Sequence, residues 1–273
     1  MKNLRAILKI RTIMSEAAPL VHAIVHPIAI NMVANAILAL GAQPICAAHP
    51  DEVGEIVGIS DSLSVNLGNI TSERMVAIER AVLTGNKRQV PLAIDMVGVG
   101  ASSLRFDFAN KLLDTYSFDL IKGNASEIRA LALGKSSAKG VDVGEADRLR
   151  GENIKKLALE ARRLAKKYQT TVLITGETDL VVTEESYFEI NNGVENLSKI
   201  TGTGCMLTAL VSSFMAVTDP VAASLCGLLT MEVAAEKADS DRLYTFFVNL
   251  MDEIGLVSNE EIIGCLLYTS PSP

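Results

Sequence analysis

Cysteine is scarce in this chain of 273 residues, and its four copies are widely scattered. They show no Cys-x-x-Cys spacing and are too sparse for a disulfide framework. This pattern favours reduced thiols, so we expect a cytoplasmic protein. The four positions are Cys46, Cys205, Cys226 and Cys265.

Long uninterrupted apolar runs are also missing. The first 13 residues interleave four basic side chains with apolar ones, which is unlike a secretory leader and indicates an amphipathic surface helix. The most apolar stretch, 205–235, is interrupted by Asp219 and Pro220, and each half is shorter than the roughly 18 residues that a membrane span needs. We predict two buried core helices there and no membrane segment.

Basic side chains are outnumbered, with 25 Lys and Arg against 32 Asp and Glu and a formal charge of -7. A general nucleic-acid binder needs a basic face, so we expect no nucleic-acid partner and only local capture of phosphate. The chain also lacks a Gly-x-Gly-x-x-Gly motif after the first strand. This absence argues against a dinucleotide-binding dehydrogenase.

Apolar residues nevertheless make up 49% of the chain, enough to bury a large core. Short apolar runs followed by turn residues predict buried parallel strands, and helical patterns lie between them. This alternation predicts an α/β fold with a mostly parallel central sheet and helices on both faces. The predicted strands are 44–47, 63–67, 92–95, 120–122 and 172–175, and the predicted helices are 28–40, 72–83, 104–113 and 153–168.

The pattern changes after residue 175. Short strands at 180–182 and 187–190 predict an antiparallel hairpin, and helices follow. The segment 134–151 is rich in Gly, Ser and charge, which indicates a surface excursion between core elements. We expect one domain over residues 1–264 and a non-native or disordered tail at 265–273.

A glycine-rich turn, Thr-Gly-Thr-Gly-Cys at 201–205, runs directly into an apolar helix. Small residues let backbone N–H groups approach a phosphate, and the first turn of a helix carries unpaired N–H groups and a partial positive charge. Such a turn can stabilise the charge on a transferred phosphoryl group. The alternative is a tight turn that uses Gly202 and Gly204 only for close packing.

Three further polar turns follow predicted parallel strands directly, beginning at Asp95, Lys122 and Thr175. Open α/β sheets bind their ligands at the carboxyl ends of the strands. We therefore expect these turns to lie around one ligand. The segment from Asn124 to Glu127 also fits a helix N-terminus with an acid in its first turn, so capping is an alternative role for Glu127.

These motifs make residues 19 to 235 similar to the hydroxyethylthiazole kinase family, which is ribokinase-like. The matching segments are PLVHAI, NMVANAILALGAQP, VNLGNIT, VGVGAS, KGNASEI, KGVD, TGETD and TGTGC. The resemblance implies ATP-dependent phosphorylation of the primary alcohol of 4-methyl-5-(2-hydroxyethyl)thiazole in thiamine salvage. It also implies a homotrimer with acceptor pockets at the subunit contacts.

The resemblance further implies roles for residues at the strand ends. Asp95 and Glu127 would organise Mg²⁺ and its waters. The ATP phosphates would be contacted by Lys122, Asn124 and Thr175.

The same resemblance places Gly202 beside the substrate hydroxyl, with Gly204 in the same turn. Cys205 stands where related sugar kinases carry an aspartate that draws the proton from the attacking hydroxyl. The pKa of a thiol at a helix N-terminus is expected to fall, which would help Cys205 act as a base. A small apolar residue at the start of a core helix is the alternative.

Residues 21–46 resemble the acceptor-binding portion of the family, where apolar walls with few polar groups suit a small ring. Cys46 and His26 are candidate substrate contacts, although a core cysteine and a structural histidine are open alternatives. The family usually has methionine at Cys46, asparagine at Ala23 and His26, and proline at Met96. These departures leave two other functions open. One is a kinase for another small alcohol, such as a hydroxymethylpyrimidine, and the other is a catalytically weak ligand-binding homologue.

Overall fold

The computed structural model describes residues 2–134, 152–266 and 271–272. Strands and helices alternate through most of the chain, as the apolar pattern predicts. The elements, in chain order, are α1 (Lys2–Ala17), β1 (Leu20–Ile24), α2 (Ile30–Leu40), β2 (Gln43–Ile45), α3 (Val53–Ile59), β3 (Ser62–Asn66), α4 (Ser72–Arg88), β4 (Leu92–Asp95), α5 (Ser103–Thr115), β5 (Leu120–Asn124), α6 (Ala125–Leu133), α7 (Glu152–Tyr168), β6 (Thr171–Thr175), β7 (Asp179–Val182), β8 (Tyr187–Ile190), a short 3-10 helix (Glu195–Lys199), α8 (Thr203–Met215), α9 (Pro220–Lys237), α10 (Leu243–Leu256), α11 (Asn259–Leu266) and β9 (Pro271–Ser272).

One sheet gathers the strands of the described residues, in the order β2-β1-β3-β4-β5-β6-β7-β8-β9. Neighbouring strands are parallel from β2 through β6, and β7, β8 and β9 continue the sheet in antiparallel fashion. The predicted α/β class with a mostly parallel sheet is therefore confirmed. The strand order reverses beside β1, and open α/β sheets place ligands at the carboxyl ends of strands beside such a reversal.

Side chains of each strand alternate between the two faces of the sheet. In β6, Leu173 belongs to one buried hydrophobic cluster, while Val172 and Ile174 belong to another. The first cluster includes residues of α1, α2 and α8 to α11, and the second includes residues of α3 to α7. Helices therefore cover both faces of the sheet, as predicted.

The sequence patterns do not predict β1 or α3. The strand β1 is missed because His22 interrupts its apolar run, yet His22 is fully buried and its Nε2 donates to the Ala47 carbonyl oxygen at 2.9 Å. His22 therefore has a structural role inside the sheet. Helix α3 has only seven residues, too few for a clear helical period.

Helix α4 continues past its predicted end at residue 83. Gly85 lies in this extension, and a Cβ there would stand 2.8 Å from Leu92 Cδ2. The glycine therefore lets the helix pack closely on β4 rather than ending it.

The most apolar part of the chain forms α8 and α9, two buried helices as predicted. The Asp219 carboxylate caps α9 by accepting hydrogen bonds from Val221 N at 3.1 Å and Ala222 N at 3.0 Å. Pro220 takes the first helical position, where its missing N–H is not needed. Among the described residues, every helix falls short of the length and apolar character that a membrane crossing requires.

Two predicted features lie partly outside the described residues. Within the expected surface excursion at 134–151, only Gly134 is described, and it ends α6 in a left-handed conformation. Within the expected tail at 265–273, residues 267–270 and 273 lie outside the description, whereas Pro271–Ser272 pair with β8. The tail and the single domain over 1–264 stay predictions.

Candidate active site

The carboxyl ends of the parallel strands surround the first turn of α8. Asn66 ends β3, Asp95 ends β4, and Asn124 ends β5. The Asp95 carboxylate accepts a hydrogen bond from Thr208 Oγ1 of α8 at 3.0 Å, which ties β4 to this helix. The polar turns and the glycine-rich turn therefore lie together in three dimensions.

Both glycines of the turn are required by close contacts. Gly202, the N-cap of α8, has a φ of +100°, and a Cβ there would lie 3.2 Å from Met32 Sδ and 3.3 Å from Ala29 Cβ. A Cβ at Gly204 would lie 2.8 Å from Lys122 Nζ. The packing role therefore applies to both positions, and Gly204 also lets an ammonium group approach the helix N-terminus.

The first turn of α8 has the geometry of an anion site. The first hydrogen bond of the helix runs from Met206 N to Gly202 O at 2.9 Å. The N–H groups of Thr203, Gly204 and Cys205 therefore precede the helical hydrogen-bond ladder. Together with the partial positive charge of a helix N-terminus, they can accept a phosphate.

A buried ion pair stands beside this turn. Lys122 Nζ lies 3.2 Å from Asp95 Oδ1. Asp95 Oδ2 also accepts a hydrogen bond from Asn66 Nδ2 at 3.1 Å. Burial lowers the pKa of Lys122, while the carboxylates of Asp95 and Glu127 raise it, and the net shift is upward. Lys122 therefore keeps its positive charge inside the site.

Glu127 and Asn124 form a capping box at the start of α6. Asn124 Oδ1 accepts a hydrogen bond from Glu127 N at 2.9 Å, and Glu127 Oε2 accepts one from Asn124 N at 2.8 Å. Glu127 Oε1 accepts a third hydrogen bond from Gly98 N at 2.7 Å. Burial raises the pKa of Glu127, and Asp95 raises it further against the lowering effect of Lys122. The capping role is therefore present, and Glu127 also fixes the loop after β4.

Asp95 and Glu127 can take part in a magnesium site, but the two carboxylates alone are too few to surround the ion. The described residues contain no cluster of three or more metal-binding side chains. Each Glu127 oxygen accepts one hydrogen bond from the chain, and a carboxylate has about four acceptor positions. Because Mg²⁺ keeps several waters and binds one or two carboxylates together with substrate phosphates, the two acids fit an ion that arrives with a nucleotide.

Cys205 is a buried, neutral thiol. Its Sγ accepts a hydrogen bond from Asn66 Nδ2 at 3.2 Å and lies 3.4 Å from His26 Nε2. Burial, followed by the charge of Asp95, raises the pKa of Cys205 to about 12. The expectation that a helix N-terminus lowers the pKa of this thiol is therefore wrong, because loss of solvent and a nearby carboxylate outweigh the helix.

The remaining predicted contacts occupy neighbouring strand ends. Thr175 ends β6 and pairs in register with Asn124 of β5. Cys46 directly follows β2, is half-buried and packs against the hydrophobic cluster that includes α8. Burial raises the pKa of the Cys46 thiol as well. Cys46 therefore combines a core position with a place at the ligand-binding edge.

Two of the residues that depart from the family pattern lie in the core. Ala23 in β1 and Met96 after β4 are both 0% exposed, and they belong to opposite faces of the sheet. Neither side chain reaches solvent at the site. His26 is also buried, but it lies in direct contact with the site residue Cys205.

Asn66 and Arg74 are site residues that the sequence analysis did not single out. The Arg74 guanidinium donates to the carbonyl oxygens of Gly68 and, at 2.8 Å, of Asn66, and so holds the turn after β3. Two signals were available. Asn66 is a polar residue near the carboxyl end of the strand predicted at 63–67, and an arginine in the first turn of a helix opposes the helix dipole unless it has another role.

The carboxyl edge of this mostly parallel sheet holds a buried lysine and a helix whose first turn contains two glycines. This is the architecture of ribokinase-like kinases. The model of the hydroxyethylthiazole kinase family matches residues 11–260. The chain belongs to the hydroxyethylthiazole kinase family. Membership in this family of kinases implies a small-molecule substrate with ATP as co-substrate.

Curated relatives span most of the chain. Hydroxyethylthiazole kinase 1 of Clostridium botulinum (strain Loch Maree / Type A3) is 39% identical over 257 residues, which cover 94% of this chain and 97% of the relative. Hydroxyethylthiazole kinase of Alkaliphilus metalliredigens (strain QYMF) is 38% identical over 251 residues, which cover 90% of each chain.

Solved structures support the same fold. A hydroxyethylthiazole kinase protein from Pyrococcus horikoshii OT3 superposes with a TM-score of 0.86 at 30% identity, covering 98% of this chain and 100% of that one. A pyridoxal kinase of Bacillus subtilis, solved as an ADP complex, superposes with a TM-score of 0.61 at 14% identity, covering 82% of this chain and 94% of that one. The second likeness concerns the fold alone.

Proposed function

We propose that this chain transfers the γ-phosphoryl group of ATP to the primary alcohol of 4-methyl-5-(2-hydroxyethyl)thiazole, a reaction of thiamine salvage. The observation that carries the proposal is the first turn of α8, where Gly202 and Gly204 keep side chains away from the N–H groups beside Lys122. The choice of acceptor is supported by the curated relatives, which carry the name of that kinase.

Electrostatic stabilisation is the main task of the site in this reaction. Phosphoryl transfer spreads negative charge over the γ-phosphoryl oxygens, so catalysis depends on positioning and on fixed positive charge. The N–H groups at the start of α8 and the Lys122 ammonium would supply that charge. Asn124 and Thr175, which are neighbours at the ends of β5 and β6, would contact the phosphates from the adjacent strand ends.

Asp95 and Glu127 would hold Mg²⁺ through its waters, since Glu127 retains acceptor positions beyond its bonds to the chain. When bound, the ion neutralises charge on the nucleotide phosphates. Lys122 pairs with the Asp95 carboxylate and so limits the repulsion between two buried acids.

The alcohol would lie between the first turn of α8 and the segments that follow β1 and β2. Gly202 would leave space for the hydroxyl group, while Cys46 and His26 would form part of the wall. Cys205 enters the reaction as a neutral thiol, because its pKa is raised to about 12.

We also propose that the chain works as one domain over residues 1–264 in a cytoplasmic homotrimer. Exposed apolar side chains on α10 support a contact between subunits. Sedimentation equilibrium should give the mass of three chains, and a monomer at micromolar concentration would overturn the trimer. The α10 side chains are Leu243, Tyr244 and Val248.

A panel of small alcohols tests the acceptor. The purified chain is assayed with MgATP and the thiazole alcohol, a hydroxymethylpyrimidine or pyridoxal, and kcat/KM is compared. The thiazole alcohol should give the highest value. A preference for the pyrimidine would overturn the acceptor while leaving the kinase class, and binding without turnover of any alcohol would identify a ligand-binding homologue.

A further inference from the structure

His26 is held against the thiol of Cys205 by close packing. It follows β1, is 6% exposed, and its Nε2 lies 3.4 Å from Cys205 Sγ. A Cβ at Gly68 would lie 2.6 Å from His26 Cδ2 and 3.2 Å from His26 Nε2. Glycine at position 68 therefore makes room for the imidazole and fixes its place.

The hydrogen bonds of Asn66 indicate where the thiol proton points. Asn66 Oδ1 accepts from Gly68 N at 2.8 Å, so its Nδ2 is the atom that donates to Asp95 Oδ2 at 3.1 Å and to Cys205 Sγ at 3.2 Å. The sulfur already accepts one hydrogen bond, and the thiol keeps its own proton because its pKa is raised to about 12. Pairing that S–H with an acceptor requires an unprotonated His26 Nε2.

This arrangement defines the tautomer of His26. With Nε2 accepting the thiol proton, the neutral imidazole carries its proton on Nδ1. That atom is buried and has no hydrogen-bond partner among the described residues. His22 provides the opposite case, because its Nε2 faces the Ala47 carbonyl oxygen at 2.9 Å and must donate to it.

The alcohol must lose its proton when its oxygen bonds to phosphorus. Cys205 alone cannot take that proton, since a neutral thiol already holds one. A second group that accepts the thiol proton removes this difficulty. His26 is in contact with the sulfur and is uncharged before the reaction.

We propose that Cys205 and His26 form a proton relay that deprotonates the acceptor alcohol, a role that rests on the proposed phosphorylation of an alcohol. The alcohol oxygen bonds to the γ-phosphorus, and the bond from that phosphorus to the β–γ bridging oxygen breaks, with its electron pair leaving on ADP. The hydroxyl proton moves to Cys205 Sγ while the thiol proton moves to His26 Nε2. The imidazolium then carries one extra proton. After the products leave, Nε2 returns its proton to Cys205 Sγ while the sulfur passes its own proton to water in the emptied site, which regenerates the neutral thiol and the Nδ1–H imidazole with the loss of one proton in total.

The charges around His26 favour this cycle. Burial, Arg74 and Arg105 lower the pKa of His26, and Asp95 acts in the opposite direction. The net shift is downward, so the ring is neutral at physiological pH and able to accept a proton. The same positive neighbours favour release of the proton after transfer.

Nitrogen chemical shifts test the resting state without any substrate. The chain has three histidines, so ¹⁵N-histidine labelling with one substitution at each position assigns them all. At pH 8, His26 should show the Nδ1–H tautomer, and His22 should show the Nε2–H tautomer. An Nε2–H tautomer at His26 would overturn the relay, and this result does not depend on which alcohol is the substrate.

Kinetics test the relay in the reaction, with His26→Gln as the variant and His49→Gln as the matched control at an exposed histidine. His26→Gln should lower kcat by about 10²-fold with little change in KM for the alcohol. It should also abolish the fall in kcat at acid pH that protonation of His26 causes in the wild type. Wild-type kcat and an unchanged pH profile in His26→Gln would overturn the proposal.

The two relay members should also be non-additive. Cys205→Ser should retain most of the turnover because a hydroxyl can pass a proton, whereas Cys205→Ala should lose about as much as His26→Gln. The double variant should be no slower than the slower single variant, and losses that multiply would contradict a shared path. If the wild type phosphorylates no alcohol, the proposed function is wrong. The tautomer of His26 still shows, independently of turnover, whether the Cys205 thiol donates its proton to His26 Nε2 in the resting protein.

Discussion

Lys122 Nζ lies 3.2 Å from Asp95 Oδ1, and the two residues, which are partners in the β4–β5 register, are 4% and 0% exposed. A buried charge is tolerated when its partner is present and is strongly unfavourable when that partner is removed. The pair therefore places a positive charge at the phosphate-binding turn while keeping the sheet stable.

Removing Lys122 should destabilise the fold through the unpaired Asp95 carboxylate. Lys122→Met is expected to lower the free energy of unfolding by about 3–5 kcal/mol, and the double variant with Asp95→Asn should recover part of that loss. Lys111→Met, which breaks the solvent-exposed pair with Glu79, is the control and should cost less than about 1 kcal/mol. Urea unfolding measures all four proteins, and equal costs at the two lysines would contradict the buried pair.

Gly202 should be required for activity rather than for folding. A side chain there meets both the positive φ of +100° and the contacts with Met32 and Ala29, so Gly202→Val should distort the turn and reduce kcat by about 10²-fold or more. Gly134→Ala is the matched control, because Gly134 also has a positive φ but nothing within 4 Å of the added Cβ. Circular dichroism and kcat are measured on the same samples. A folded Gly202→Val with wild-type turnover would remove the anion site from this turn.

Much of the fold was predictable because its strands are short apolar runs bounded by polar turns. The prediction at 92–95 matches β4 and the prediction at 187–190 matches β8. The strand β1 was not predicted because His22 interrupts its apolar pattern. The sequence does not show that this histidine is buried and bonded to the distant carbonyl oxygen of Ala47. The predicted helix at 72–83 stops short of Gly85, because the close packing of α4 on a strand cannot be read from local sequence.

The site was predictable where residues stand at strand ends, as with Asp95 and Lys122. The contacts of Thr208 and Asn66 with Asp95 join segments far apart in sequence, and no local pattern reports them. The same reason explains the wrong direction for the pKa of Cys205. The helix N-terminus is visible in the sequence, whereas burial and the approach of a carboxylate from another strand are not.

Magnesium dependence should change when the acids at the strand ends are neutralised. Asp95→Asn and Glu127→Gln are expected to raise the Mg²⁺ concentration needed for half-maximal activity, because carboxylates organise the ion and its waters. Glu79→Gln, in the surface pair with Lys111, is the control. Activity is titrated with Mg²⁺ at fixed ATP, and an unchanged requirement in both site variants would exclude Asp95 and Glu127 from the metal's surroundings.

The thiols should differ in reactivity in the order of their exposure. Cys205 is 7% exposed with a pKa raised to about 12, and the thiolate is the reactive form. At pH 8, iodoacetamide should therefore modify the half-buried Cys46 before Cys205. Peptide mass spectrometry after timed alkylation gives the order. Faster modification of Cys205 would show a lowered pKa and would contradict the neutral thiol.

The phosphorylated product tests the central claim most directly. The purified chain is incubated with MgATP and 4-methyl-5-(2-hydroxyethyl)thiazole, and ³¹P NMR follows the reaction, with the Gly202→Val variant in parallel. The expected result is a phosphate monoester whose phosphorus couples to the adjacent CH₂ protons, formed in equal amount with ADP by the wild type and absent from the variant. Release of inorganic phosphate without a monoester, or equal monoester from the variant, would contradict phosphoryl transfer to this alcohol at the first turn of α8.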